Sequence, residues 1–255
     1  MIIPAGGTID DAFAKIVNTT NKALIPFDGT TVLKSTMNAL RGTDRVNRIV
    51  LIGPESMYST PEGKSADEFI PEGKSGPENI FRGLDWLEKL QAPPKQVLIV
   101  TADLPFVTSE TINNFLDLCP VGYDFCVPLI SQDQYLEVYP GSDSTFVKIK
   151  DGTWTTGCAY LATTKGLEQS MHHIEKVFQQ RKSKLGMARL LGWGFVFKLL
   201  LKQLSVSDVE AKVSDLLHVK AKAIPNSPAQ LAYDVDFQDD YYYALNALKA
   251  HRRSV

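Results

Sequence analysis

Hydrophobic and polar positions alternate between two periods along this chain. Short, almost wholly apolar runs at residues 2–5, 48–53 and 97–103 read as strands covered on both faces, because a half-exposed strand would alternate with polar residues. Between them, residues 31–40 and 78–90 set apolar side chains three and four apart, the spacing of one helix face. Strand, helix, strand, helix, strand in that order predicts right-handed crossovers and a doubly wound, mainly parallel sheet with helices on both faces. A helix is expected to start near Thr108-Ser109-Glu110, where Thr108 and Thr111 offer caps and Glu110 suits the first turn. Strand-like pieces at 124–129, 145–149, 158–162 and 219–224 predict a mixed sheet in the second half. A last helix over 238–251 is expected to follow a short strand through Tyr233-Asp234-Val235-Asp236. At 255 residues the expectation is one α/β domain, residues 1–255.

Candidate chemistry sits at the ends of these strands. Asp103 closes the run from Val97, before Pro105, and ligands of parallel sheets gather beyond the carboxyl ends of their strands. A second pair, Asp234 and Asp236, lies far along the chain. Carboxylates joined from distant strand ends are what a hard divalent cation such as Mg2+ requires, above all one that also holds substrate phosphates. A lone strand-end Asp reads equally well as a turn or cap residue. The first turn, Pro4-Ala5-Gly6-Gly7-Thr8, leaves backbone N–H groups open to phosphate oxygens, and Lys22 adds a point charge. It matches neither the Rossmann nor the Walker glycine spacing. The pentapeptide Pro-Glu-Gly-Lys-Ser occurs at 61–65 and again at 71–75, which predicts a polar surface loop, solvated or acting as a lid.

Composition narrows the choice. Lys and Arg total 27 against 29 Asp and Glu, so there is no broad cationic field and a nucleic acid polymer is not the expected partner. Cys119, Cys126 and Cys158 are odd in number and lack paired spacing, which disfavours disulfides or a zinc knuckle and fits a reducing cytoplasm. The first residues carry no basic segment and too short an apolar run for a signal peptide. Residues 185–204 are rich in Leu, Phe and Trp, yet Arg189, Lys198 and Lys202 interrupt them, so a buried or amphipathic helix is expected rather than a transmembrane one. The four histidines and three cysteines form no triad-like pattern. Arg181, Lys182 and Lys184 read either as a phosphate clamp or as a solvated helix end.

Collinear segments then carry a resemblance: AGG, NKALIPFDG, RIVLIG, SGPENIFRGL, VLIVTADLPF, TTGCAYLA and DVDFQDDYYYAL, in that order from Ile2 to about Leu248. Together they resemble the nucleotidyltransferase superfamily, in the molybdenum cofactor guanylyltransferase-like branch of NTP transferases. The resemblance implies a three-layer α/β/α sandwich with a mainly parallel sheet, similar to glycosyltransferase-A folds. It also implies Mg2+-dependent transfer of an NMP from an NTP to a phosphorylated small-molecule acceptor, releasing pyrophosphate. By resemblance, Ala5, Gly6 and Gly7 hold the triphosphate, Lys22 neutralises phosphate charge, and Asp103 and Asp236 ligate Mg2+, with Asp240 as a helix-start acid and Asp234 as an alternative ligand. Ser75, Gly76 and Asn79 align with the segment that reads the nucleoside, and Gly157 and Cys158 with an acceptor turn where Asn is usual. Arg181 and Lys182 are further acceptor-phosphate candidates. Relatives carry an Arg soon after the glycine turn; here residues 8–14 hold Asp10 and Asp11 instead, with Lys15 nearest as a substitute. Two other readings are a glycosyltransferase that uses Asp234-Val235-Asp236 on a nucleotide sugar, and a nucleotide-binding regulator that has lost catalysis.

Overall fold

The computed structural model describes residues 1–181 and 183–254, without the side chains of His251, Arg253 and Ser254. Its strands are β1 (Ile2–Pro4), β2 (Pro26–Phe27), β3 (Thr30–Thr31), β4 (Val50–Gly53), β5 (Glu68–Pro71), β6 (Gln96–Val100) and β7 (Phe125–Ser131). They continue with β8 (Val147–Ile149), β9 (Gly152–Thr156), β10 (Ala159–Thr163) and β11 (Ala221–Ile224). The helices of the first half are α1 (Asp11–Val17), α2 (Val32–Arg41), α3 (Pro61–Ser65), α4 (Gly76–Glu88) and α5 (Ser109–Leu118). Those of the second are α6 (Gln132–Val138), α7 (Thr164–Gln180), α8 (Lys184–Leu191), α9 (Trp193–Leu200), α10 (Val206–Leu217) and α11 (Gln238–Ser254).

The sheet runs β5-β4-β1-β6-β10-β7-β9-β8, with β11 also on β7. Strands β5, β4, β1 and β6 are mutually parallel, and β10 enters antiparallel between β6 and β7. Successive residues of a strand face opposite sides. Ile3, Leu51, Leu98 and Val100 therefore meet Leu33, Met37, Ile112 and Phe115 of α2 and α5 on one face. On the other, Ile2, Val50, Val97 and Ile99 meet Phe81 and Leu84 of α4 and Leu167 of α7. Helices on both faces are why these strands read as continuous apolar runs, and each fully buried Leu or Ile contributes about 1.5–3 kcal/mol of transfer free energy. An aromatic cluster around Phe13, Phe27, Tyr135, Tyr139 and Tyr233 packs α1, α6 and α11 beside the sheet.

Four expectations need correction. The first Pro-Glu-Gly-Lys-Ser copy is not a loop but helix α3: Thr60 caps it, accepting from Gly63 N, and Pro61 takes the first turn, where a missing N–H costs nothing. Glu62 in that helix is buried and accepts a 2.7 Å hydrogen bond from Thr31. In the second copy Ile70 stands where Thr60 stood and offers no cap; Pro71 ends β5, and residues 72–75 lead into α4. Residues 185–204 are not one continuous buried helix but parts of α8 and α9, broken at Gly192, whose φ of +83° suits glycine. No residue of α9 is buried, and Leu185, Trp193, Phe197, Leu200 and Leu201 are exposed. Residues 233–236 form no strand and lie outside the sheet, and Asp103 lies three residues beyond β6 rather than at its tip. Among the described residues, no helix is long and apolar enough to cross a membrane.

Candidate metal and triphosphate site

Three chain segments converge beyond the carboxyl end of β6. Residues 101–103 turn away from the strand, with Thr101 Oγ1 donating to Asp103 Oδ1 at 2.5 Å and Thr101 N to the Cys158 carbonyl at 3.0 Å. Val235 N donates to the Asp103 carbonyl at 3.1 Å, and Cys158 N to that of Leu231 at 2.6 Å, so backbone bonds fasten the distant C-terminal segment to this turn. Asp240 accepts from Asp236 N and Phe237 N at 3.0 and 2.8 Å, holding the start of α11, and it stands outside the carboxylate cluster. Asp103, Asp234 and Asp236 each bring an oxygen within 4.8 Å of the others. Asp234, expected only as an alternative to Asp236, is thus a full member.

Lys22 sits at the centre of the three. Its ammonium pairs with Asp103 and Asp236 and lies 3.6 Å from Asp234. Burial alone would lower its pKa, but the surrounding carboxylates raise it, so it remains charged. For Asp234, burial and then the neighbouring Asp103 push the pKa up to about 7, against the pull of Lys22. Three carboxylates against one ammonium leave the cluster short of positive charge. Hard oxygen donors at this separation suit a divalent cation of the Mg2+ type.

The glycine turn is stitched to the lysine. Asn21 caps the short helical turn 22–24, accepting from Ala23 N, while its amide donates to the Ala5 carbonyl at 3.0 Å; Lys22 N donates to the Gly7 carbonyl at 2.8 Å. Sequence reasoning passed over Asn21, although an Asx cap before a short apolar helical turn was its signal. Ala5 is buried and its N–H is already bonded to Ile52, which leaves Gly6 and Gly7 as the open part of the turn.

Of the nucleoside candidates, Asn79 lies against the same turn. A Cβ on Gly6 would collide with a carboxylate oxygen of Glu72 and lie 3.6 Å from the amide of Asn79. Asn79 is buried and accepts from Gly73 N at 2.6 Å; Ser75 caps α4 and donates to Glu175 at 2.9 Å. Glu72 is a neighbour the sequence did not single out, and only the packing of residues 72–75 onto the turn reveals it.

The acceptor-side candidates separate. Cys158 adjoins the carboxylates; burial first, then Asp234 and Asp103, raise its thiol pKa, so it remains a neutral thiol rather than a nucleophile. Gly157 is a packing position: a Cβ there would lie 2.9 Å from Leu231 and Pro128. The Arg181 guanidinium is stacked 3.3 Å over the Phe178 ring, which itself borders Gly76, so it sits on the Ser75–Gly76 side. Lys182 falls outside the described residues.

A hypothetical transferase from Thermus thermophilus shares 26% identity with this chain, covering 94% of it and 97% of its own length, at a TM-score of 0.82. The 4-diphosphocytidyl-2C-methyl-D-erythritol synthase of Anaerococcus prevotii superposes at a TM-score of 0.57, with 13% identity over 97% of this chain and 96% of that one. The 2-C-methyl-D-erythritol 4-phosphate cytidylyltransferase of Thermus thermophilus gives 0.56, with 14% identity over 98% of each chain. These two share the fold. No curated protein matches the sequence. The family profile described as the MobA-like NTP transferase domain matches residues 14–175, well over half the chain. The protein therefore belongs to the MobA-like NTP transferase domain family and is a nucleotidyltransferase.

Proposed function

We propose that the protein transfers an NMP from an NTP to a phosphorylated small-molecule acceptor and releases pyrophosphate, with Mg2+ as its cofactor. The observation that carries this reading is the closure of Lys22 on Asp103, Asp234 and Asp236 directly beside the open Gly6-Gly7 turn. In the reaction an acceptor phosphate oxygen forms a bond to the α-phosphorus, while the bond from that phosphorus to the bridging oxygen breaks and its electron pair leaves with pyrophosphate. No side-chain nucleophile is needed. The protein's tasks are positioning and charge compensation.

Asp103, Asp234 and Asp236 would hold the cation, which supplies charge neutralisation at the phosphates. The Gly6 and Gly7 backbone receives the triphosphate, and Lys22, once its carboxylates are otherwise balanced, pairs with phosphate oxygens. Ser75, Gly76 and Asn79, with Glu72, border the nucleoside. Three free thiols suit a reducing cytoplasm as the site of action.

Replacing Asp103 with Asn should lower pyrophosphate release with the matching NTP by at least about a hundredfold, while circular dichroism shows an intact fold. Undiminished turnover would refute the assignment. Because Asp234 and Asp236 both join the cluster, a glycosyltransferase reading is also supported; sugar transfer from a nucleotide sugar without pyrophosphate would favour it.

A further inference from the structure

A cavity of about 780 Å3 opens between the sheet and α10, and Asp234 and Asp236 form part of its wall. Its floor is Val127 and Leu129 of β7 with Trp154 of β9, and Val147 and Ile149 of β8 continue it. Its roof is Val206, Val209 and Val213, three and four residues apart and so one stripe of α10. In an ordinary layered domain these two apolar faces would touch. Here the contact is partial: Val213 and Leu217 pack against the core beside Phe125 and Ala221, but α10 has no buried residue, and Val127 and Leu129 are only half-buried although their strand lies inside the sheet.

Polar contacts add to that packing in holding α10 in place. Glu210 accepts from Ala223 N at 2.9 Å and pairs with Lys222 at 3.1 Å, and Ser214 accepts from Ala221 N at 3.0 Å. Among the described residues, the one cation in the cavity wall, Lys222, is thereby matched. The wall is thus apolar along β7, β8 and α10 and polar where Asp143, Ser144, Thr155, Glu210, Asp234 and Asp236 join it. Its volume is that of a drug-sized ligand.

We propose that this cavity receives the acceptor, and that the acceptor is a phosphorylated molecule with an uncharged apolar body, its phosphate at the Asp234–Asp236 end and its body between β7 and α10. The proposal rests on the nucleotidyl-transfer reading and adds the acceptor's chemical class. Burying hydrocarbon here would remove from water both the ligand's surface and the two facing apolar walls, and that gain scales with each methylene buried.

The test is a series of linear alkyl monophosphates, ethyl to octyl, titrated calorimetrically into the full-length protein with Mg2+. Affinity should rise about three- to fourfold per added methylene until the cavity fills. Val209→Glu should flatten the series, and Val209→Phe, which keeps the helix apolar but occupies space, should cut it off at a shorter chain. Melting of each variant without ligand reports its folding. A wild-type affinity independent of chain length, or a series that neither variant alters, would overturn the proposal. Pyrophosphate release from each NTP, followed in parallel, keeps the two ideas apart. Length-dependent binding without release would remove transfer onto phosphate and keep the apolar site; release without length dependence would do the reverse.

Discussion

Asp234 shows how a single clustered carboxyl couples stability to pH. Its pKa in the folded protein, about 7, stands above its unfolded value, so the native state binds the extra proton between the two. The stabilisation this provides is complete at pH below about 4 and is lost as pH rises through about 7. Asp234→Asn should therefore stabilise the metal-free protein at pH 8, by about 1–2 kcal/mol after allowance for partial exposure, and hardly at all at pH 4. Urea unfolding at both pH values checks this; equal effects at the two would contradict it. At the same scale, Asp103 and Lys22 were legible in the sequence because a strand end and a glycine turn frame them. Glu72 was not, because nothing in its own pentapeptide distinguishes it from Glu62; only the fold puts one beside Gly6 and the other beneath Thr31.

That pair of identical pentapeptides carries the lesson of the elements. Local composition is the same, and the residue before it decides: Thr60 begins a helix, whereas Ile70 continues a strand into Pro71. Thr60→Ala should cost about 1 kcal/mol by removing that cap, seen as a lower urea midpoint with an unchanged slope. The buried strands, α2 and α4 were readable from their apolar spacing, and α5 from its Thr108 and Thr111 caps. The 185–204 stretch misled, because hydrophobicity all around a helix normally means burial, and here a glycine break leaves two short helices with little to pack on. Phe197→Glu and Leu200→Glu should thus shift stability by no more than about 0.5 kcal/mol, while Leu84→Ala between α4 and the sheet should cost about 2–5 kcal/mol. Equal losses would show that α9 is buried after all.

At the scale of the molecule, the doubly wound half followed from element order, but the antiparallel entry of β10 did not. An apolar run has the same pattern in either direction; what sets its sense is the long path through β7, α6, β8 and β9 that precedes it. The reversal matters, because it starts β10 where β6 ends and so sets Cys158 beside Asp103. Across the sheet's outer helices another acid pair forms: Glu88 at the end of α4, hydrogen-bonded to Glu168 of α7 and partly desolvated, has its pKa pushed up to about 7. Glu168→Gln should favour the fold slightly at pH 8, by under about 1 kcal/mol for so exposed a pair, and the advantage should vanish near pH 5, as melting curves at the two pH values will show.

The hydrogen bond from Val235 to the Asp103 carbonyl also has a bearing on biosynthesis. Lys22 leaves the ribosome more than two hundred residues ahead of Asp236, the acid it finally grips. Strands and helices of the nascent polypeptide can assemble early, yet the carboxylate cluster around Lys22 closes only after residue 236 has been added. Products ended before Asp234 would keep most of the scaffold and lack two of the three clustered carboxylates.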